Sequence, residues 1–168
     1  FMPMAISFVG ASLIWKFVYA NNADIGLINA LRDFFGAEEP LDVLQVQFWN
    51  NFFLMVILIW IQTGFAMVIL SAALRGIPEE TIEAAIIDGA NPFQVFFRIK
   101  VPQIMGTIVV VWTTITILVL KVFDIVYTMT GGNFGTEILP SYMMSYMFRD
   151  DGRATAVAFV IMIVVLPV

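Results

Sequence analysis

Residues 48–74 read FWNNFFLMVILIWIQTGFAMVILSAAL, and this stretch decides the fold class of the chain. It contains no charged residue, and its apolar positions do not alternate with polar ones as they do in a half-buried strand. A helix that crosses the hydrocarbon of a bilayer needs about 20 apolar residues. The stretch therefore predicts a transmembrane helix, in which Gln62 and Thr63 are expected to hydrogen-bond to neighbouring helices rather than to form a substrate site, and in either case to face the interior of the bundle.

Three further apolar stretches flank this one, at residues 1–20, at residues 104–120 and from about Thr155 to Val168. With 61% hydrophobic and 12% charged residues, the chain has more apolar surface than one soluble core of this size hides from water. We expect an all-α, polytopic transmembrane bundle with about four spans in a single domain, residues 1–168. Because both ends fall inside apolar runs, we interpret the chain as a fragment of a longer protein, truncated at both ends.

The composition excludes several functions. The chain has no cysteine and no histidine, so disulfides, cysteine metal sites and histidine-dependent nucleophiles are not available to it. It has no Gly-Lys pair and hence no Walker A phosphate loop. A net charge of −5 argues against a nucleic-acid partner. We expect no catalytic residue, no metal and no cofactor.

The loops between the apolar stretches differ in charge. Loop 21–47 has five acidic residues and one arginine, and within it residues 26–35 carry apolar side chains at helical spacing. We expect that segment to form a short helix on the outer membrane surface. Loop 75–102 has three basic residues, and the other two loops, which must share the opposite side of the membrane, have three between them. Basic residues prefer cytoplasmic loops, and loop 75–102 has the most in one loop, which favours the cytoplasm for it only weakly.

Loop 75–102 predicts two short helices joined by a turn. Pro78 suits the first position of one helix, and Gly89 can take the left-handed conformation that ends it. Asn91 then begins a second helix as its N-cap, and Pro102 ends that helix. From these residues alone, the two helices could form an amphipathic hairpin that only rests on the inner membrane surface, as well as a functional site.

The same loop resembles the EAA signature of ABC importer permeases, which reads Glu-Ala-Ala, three residues, Gly, nine residues, Ile, one residue, Leu and Pro. The match is carried by Glu83, Ala84, Ala85, Asp88, Gly89, Ile99 and Pro102. Asp88 belongs to a variant of the motif that is common in sugar permeases. Val101 stands where leucine is usual, which is a mild exchange of one apolar residue for another.

The resemblance implies that loop 75–102 forms coupling helices that dock on a dimer of ATP-binding ABC subunits in the cytoplasm. It further implies a second permease subunit, contact with membrane lipid, and a periplasmic solute-binding protein that faces the other two loops. The location would be the bacterial inner membrane, and ATP hydrolysis would belong to the partner, so the chain is expected not to be an enzyme. Glu83 has no basic residue three or four positions away, which leaves its charge free for an intermolecular pair.

The resemblance covers nearly the whole chain. Residues 15–29 and 123–132 look like the ends of spans in maltose-type sugar permeases, although Asn133 stands where the family usually has proline. Residues 72–78 are most similar to α-glucoside permeases. The implied substrate is therefore a sugar, an α-glucoside or another di- or oligosaccharide. The alternatives are an ABC permease for a non-sugar solute and an ion-coupled secondary transporter, although Asp124 is the only acidic residue near a span.

Polar residues at membrane depth mark a candidate substrate path. A charge at mid-bilayer costs roughly 2.5–3.5 kcal/mol on insertion scales, so Lys121 and Asp124 require an explanation. They are three residues apart, which predicts that they share a helix face and can pair, and Thr114 and Leu118 extend the same stripe. One hypothesis is that this stripe contacts sugar hydroxyls, and the other is that Lys121 and Asp124 form a structural pair near the outer interface.

Overall fold

The computed structural model describes residues 2–37 and 39–166, and all regular structure in these ranges is helical, as predicted. A 3-10 turn at Met2–Ala5 precedes the first helix. The helices are α1 (Phe8–Val18), α2 (Leu27–Phe34), α3 (Trp49–Arg75), α4 (Glu79–Ile87), α5 (Pro92–Gln103), α6 (Met105–Leu120), α7 (Asp124–Thr130), α8 (Leu139–Tyr146) and α9 (Asp151–Val165).

Within the described ranges, α3 is the one helix that is by itself long and apolar enough to cross a membrane. Its 27 residues extend about 40 Å at a rise of about 1.5 Å each. α5 and α6 meet the same criterion together, although they join at a bend of 68°. The first and last apolar stretches form α1 and α9, with 11 and 15 residues. α1 starts only after Ser7, because the Ser7 hydroxyl caps it by accepting a hydrogen bond from the Gly10 N–H at 3.1 Å.

The bend between α5 and α6 follows from Pro102. Proline has no N–H, so the Arg98 carbonyl loses its usual partner four residues later. The stretch of α5 at Val95–Lys100 has a π-helical hydrogen-bond pattern, and at Ile104 the backbone leaves helical geometry with φ −96° and ψ 10°. Pro102 thus lies one residue before the end of its helix, close to the predicted end.

α3 forms the centre of the packed core. α1 and α7 pack against it and against each other. The buried apolar core consists of Ala11, Tyr19, Val43, Leu54, Ile57, Ile61, Ile125, Val126 and Met129. Large apolar side chains on the other faces, such as Ile59 and Trp112, are exposed. Such a surface is costly in water and is typical of helices that face lipid or other helices.

Loop 130–154 is fastened to the start of α3 by a buried amide. Asn50 is fully buried, and its Nδ2 donates a hydrogen bond to the Phe134 carbonyl at 2.7 Å. Its Oδ1 accepts a hydrogen bond from the Asn51 N–H, also at 2.7 Å. Loop 130–154 therefore lies at the Asn50 end of α3, and loop 75–102 follows the opposite end.

Loop 21–47 is tied together by a second buried amide. Asn29 of α2 donates from Nδ2 to the carbonyls of Ala20 and Leu41, at 2.8 and 3.1 Å. Its Oδ1 accepts a hydrogen bond from the Leu41 N–H at 2.7 Å. α2 coincides with the helix predicted within residues 26–35. Its apolar residues Leu31 and Phe34 are exposed, so the described part of the chain does not cover the face that the sequence assigns to the membrane surface.

Candidate coupling and substrate-path sites

The elbow, which consists of α4 and α5, occupies the end of α3 opposite Asn50. α4 begins after Pro78, which is its N-cap rather than the first helical residue that the sequence predicts. The helix ends at Ile87, and Gly89 has φ +82°, as predicted. A residue with a Cβ is strained in this left-handed conformation, so glycine is the residue that allows the chain to turn here between the two helices.

The second helix of the elbow has a reciprocal cap at its start. The Asn91 Oδ1 accepts a hydrogen bond from the Gln94 N–H at 2.9 Å. The Gln94 Oε1 accepts one from the Asn91 N–H, also at 2.9 Å. Pro92 occupies the first position of the helix. These contacts fix the direction in which α5 leaves the turn.

The residues of the EAA match divide into an inner and an outer set. α4 packs against the Val95–Lys100 part of α5, and Ala85 and Val95 are the buried residues of these two segments. The small side chain of Ala85 therefore allows the two helices of the elbow to approach each other. Ile99 is half-buried, and the exposed members are Glu83, Ala84, Asp88, Gly89 and Pro102.

The elbow also exposes large apolar side chains. Ile87, Phe93 and Phe97 are 85%, 77% and 63% exposed. Among the described residues the only ion pair joins Arg153 and Asp150, at 3.1 Å, so Glu83 has no charged partner there. Exposed apolar groups next to unpaired charges are typical of a surface that binds another protein or the membrane interface.

The predicted pairing of Lys121 with Asp124 on one helix face is wrong. α6 ends at Leu120, where the N–H groups of Lys121 and Val122 bond to carbonyls three residues back and tighten the last turn. Phe123 has φ −129°, and a separate helix, α7, starts at Asp124. Both charged side chains are exposed and form no ion pair with each other.

The other two residues of the predicted stripe line a cavity. Thr114 and Leu118 of α6 border a space of about 240 Å³ between the start of α1, the middle of α3 and α6. Gln62 of α3 lies on the same wall and is 8% exposed. The Thr114 hydroxyl donates to the Val110 carbonyl at 2.7 Å, which leaves its oxygen available as an acceptor.

The expectation that Gln62 and Thr63 bond between helices is not met. The exposed Thr63 hydroxyl donates to the carbonyl of Ile59 in its own helix, at 2.7 Å. Gln62 makes no hydrogen bond to another helix within residues 2–37 and 39–166, and it borders the cavity instead. Gln62 is an amide midway along a mostly apolar span, and this was the signal in the sequence for the cavity. The sequence did not show which residues of other helices lie opposite Gln62.

The fold and the two sites define a helical membrane protein whose longest span joins a mostly apolar cavity, with Gln62 and Thr114 in its wall, to an exposed elbow. The chain belongs to the family of binding-protein-dependent transport system inner membrane components, which matches residues 1–168. The resemblance carried by the EAA match is thereby confirmed, and so is the prediction that the chain is an inner-membrane component.

Relatives with assigned names agree with this family. The chain is 66% identical, over its whole length, to the alpha-glucoside transport system permease protein AglF of Rhizobium meliloti (strain 1021), of which it covers 52%. It is 54% identical to the osmoprotective compounds uptake permease protein GgtC of Synechocystis sp. (strain ATCC 27184 / PCC 6803 / Kazusa), of which it covers 62%. The chain thus spans about half the length of the curated relatives that it matches.

A solved structure confirms the fold class. The chain matches a bacterial ABC transporter involved in the import of the acidic polysaccharide alginate with a TM-score of 0.84 and 22% sequence identity. The match covers 98% of this chain and 60% of that chain. The transmembrane helical bundle of a permease is therefore the fold of this chain, as predicted.

Proposed function

We propose that the chain is part of a permease subunit of an ATP-driven importer, with the elbow in the cytoplasm and the Asn50 end in the periplasm. The elbow would dock on a dimer of ATP-binding subunits, and the Asn50 end would receive a periplasmic solute-binding protein. A second permease subunit would complete the pore. The chain itself would catalyse no reaction.

The observation that carries this proposal is the exposed, unpaired surface of the elbow at the end of the longest span. Glu83, Asp88 and Phe93 are exposed there next to a tightly capped turn. In this proposal a displacement of the elbow is passed on through α3, a continuous helix, to Gln62 at the cavity. Docking on a nucleotide-driven partner would in this way change access to the cavity.

The proposed solute is an uncharged sugar, in the first instance an α-glucoside. Support comes from the name of a relative that is 66% identical, and from charge. Loop 21–47 carries five acidic residues against one arginine, which disfavours an anionic solute at that entrance. The amide of Gln62 and the oxygen of Thr114 offer donors and acceptors to hydroxyl groups. In this proposal Thr114 and Leu118 line the path, and Lys121 and Asp124 lie at its mouth.

The coupling test uses Glu83→Gln and Gly89→Val in the full-length permease, assembled with its partners in proteoliposomes. Glu83→Gln removes the free charge, and Gly89→Val places a β-branched residue at φ +82°, which costs about 1–2 kcal/mol. We expect sugar uptake to fall at least tenfold while ATP hydrolysis no longer responds to the loaded binding protein. Asp33→Asn, the same kind of exchange on α2, is expected to leave uptake unchanged.

Two results would contradict the proposal. Normal uptake and normal recovery of the ATP-binding subunits with both elbow variants would exclude the elbow as the coupling site. Import that depends on an ion gradient and persists without the ATP-binding subunits would favour a secondary transporter. If the wild-type complex imports another solute but no sugar, the importer stands and the sugar assignment falls.

A further inference from the structure

A second cavity lies where α6 ends and α8 begins. Its volume is about 460 Å³, within the roughly 300–1,000 Å³ that is usual for small-molecule sites. Val119, Leu120, residues 137–140 and Tyr142 line it. None of these residues lines the cavity formed by Gln62, Thr114 and Leu118, although Gln62 and Val119 both border a further groove between α3 and α6. The second cavity is at the Asn50 end, because loop 130–154 contains most of its wall.

The wall combines an aromatic ring with one carboxylate. Tyr142 contributes its ring, and Glu137 contributes a carboxylate with no ionic partner among the described residues. A carboxylate accepts hydrogen bonds from hydroxyl groups at two oxygens. An aromatic ring offers an apolar face on which the C–H face of a pyranose can lie, with a hydroxyl group at its rim. A mostly apolar wall with few polar groups is usual for ligand pockets.

Tyr142 packs against a second tyrosine, Tyr146, which does not line the cavity. The rings of Tyr142 and Tyr146 lie 4.6 Å apart between centroids, at an angle of 37°. The Arg153 guanidinium lies 5.5 Å from the centroid of Tyr146, and it pairs with Asp150 at 3.1 Å. A cation over a ring stabilises this arrangement. Tyr142 is thus held in place before any ligand arrives, which lowers the entropy cost of binding.

The start of α8 is fixed as well. The Ser141 hydroxyl accepts a hydrogen bond from the Ile138 N–H and donates one to the Ile138 carbonyl, both at 2.9 Å. Ser141 is buried, so these bonds are shielded from solvent. These bonds therefore fix the Ile138–Ser141 turn, which joins the backbone of Glu137 to the helix that carries Tyr142.

We propose that this cavity is a second saccharide-binding subsite, which takes an uncharged α-linked glucose saccharide at the entrance before it reaches the Gln62 cavity. The inference rests on the proposed import of sugar. An uncharged ligand fits because the single ionic group of the wall is a carboxylate, which would repel an acidic sugar. Tyr142 and Glu137 are the residues that recognise the ligand, and Tyr146 and Arg153 position Tyr142.

The test measures binding of radiolabelled maltose by equilibrium dialysis to the assembled transporter with full-length permease and without the solute-binding protein. We expect Tyr142→Leu and Glu137→Gln each to remove the same part of the bound sugar, and Gln62→Leu to remove a different part. Combining Gln62→Leu with Glu137→Gln is expected to abolish binding. Tyr142→Phe keeps the ring and is expected to retain most of the affinity. Glu39→Gln, an acidic residue outside this cavity, is the control for a general charge effect.

The outcomes separate the subsite from the proposed function. Wild-type binding that is lost with Gln62→Leu but unchanged with Glu137→Gln and Tyr142→Leu would overturn the subsite and leave sugar import intact. An equal loss with Glu39→Gln would also overturn it, because the effect would then come from net charge. No maltose binding by the wild type would overturn the sugar assignment itself. Glu137 is exposed, so its variant is informative even if Tyr142→Leu fails to assemble.

Discussion

The two ends of α3 are built in different ways. At the Asn50 end, buried amides bond across long stretches of chain, as Asn50 does with Phe134 and Asn29 does with the segments on either side of α2. In the elbow, the side-chain hydrogen bonds of the described residues join only Asn91 and Gln94, three positions apart. One end is tied to the rest of the chain, and the other is ordered only locally.

This difference predicts a division between stability and coupling. Buried, satisfied polar contacts hold the Asn50 end without a partner, so substitutions there should unfold the chain. The elbow exposes Ile87, Phe93 and Glu83, so its surface is available for intermolecular contact. Substitutions there should disturb assembly and ATP use and leave the fold intact. The first two of the following predictions test the Asn50 end of α3, and the last one tests the elbow.

Gly26→Ala should have the largest effect. A Cβ at Gly26 would lie 2.0 Å from the Ala20 carbonyl oxygen. The backbone at Ala20 cannot move away without breaking the hydrogen bond that Asn29 donates to the same oxygen. We expect a loss of about 3 kcal/mol or more, at the upper end of the usual range for point substitutions. The measurement is the midpoint of thermal unfolding, in detergent, of the transporter with its full-length permease.

Gly106→Ala is the matched control for this prediction. Gly106 lies in α6, and a Cβ there would meet nothing within 4 Å. Alanine favours a helix over glycine by roughly 0.5–1 kcal/mol, so this variant should be as stable as the wild type or slightly more so. Equal loss of stability in both variants would mean that the close approach at Ala20 does not fasten the loop.

Asn50→Leu should have the next largest effect. The substitution removes the bond to Phe134 and leaves that carbonyl without its partner, which costs about 1–3 kcal/mol. Hydrogen exchange of residues 130–136 should speed up together with a lower unfolding midpoint. Asn51→Leu, at an exposed neighbour whose side chain makes no hydrogen bond in the described structure, should change neither. A similar response of the two variants would refute the fastening of loop 130–154 by Asn50.

The elbow and the longest span could be predicted because their signals are local. Gly89 and Asn91 act on the two or three residues beside them, and both took the conformations expected. α3 follows from an uninterrupted apolar run of sufficient length. The sequence did not show that Ala85 faces α5, because it does not encode how α4 rotates against α5.

The candidate substrate path depended on contacts that sequence spacing does not encode. Lys121 and Asp124 have helical spacing, yet α6 ends at Leu120 as its last turn tightens, and α7 begins only at Asp124. Gln62 meets the wall of Thr114 only because α3 packs against α6 and the Met2–Ala5 turn folds back on α3. Tyr142 gave no signal either, because nothing in the sequence shows that it lies near the end of α6.

Asn91→Ala should have the smallest effect on stability and the most local one. Loss of an N-cap costs about 1 kcal/mol, but the cap holds only the first turn of α5, and no side-chain bond of the described elbow reaches the rest of the chain. We therefore expect faster hydrogen exchange in residues 92–97, weaker recovery of the ATP-binding subunits and an unchanged unfolding midpoint. Asn91→Asp keeps an oxygen that accepts a hydrogen bond from the Gln94 N–H, so hydrogen exchange and recovery of the ATP-binding subunits should both return to the wild-type level. A lowered midpoint with Asn91→Ala would mean that the elbow supports the bundle as well, and that the two ends of α3 differ less than their hydrogen bonds indicate.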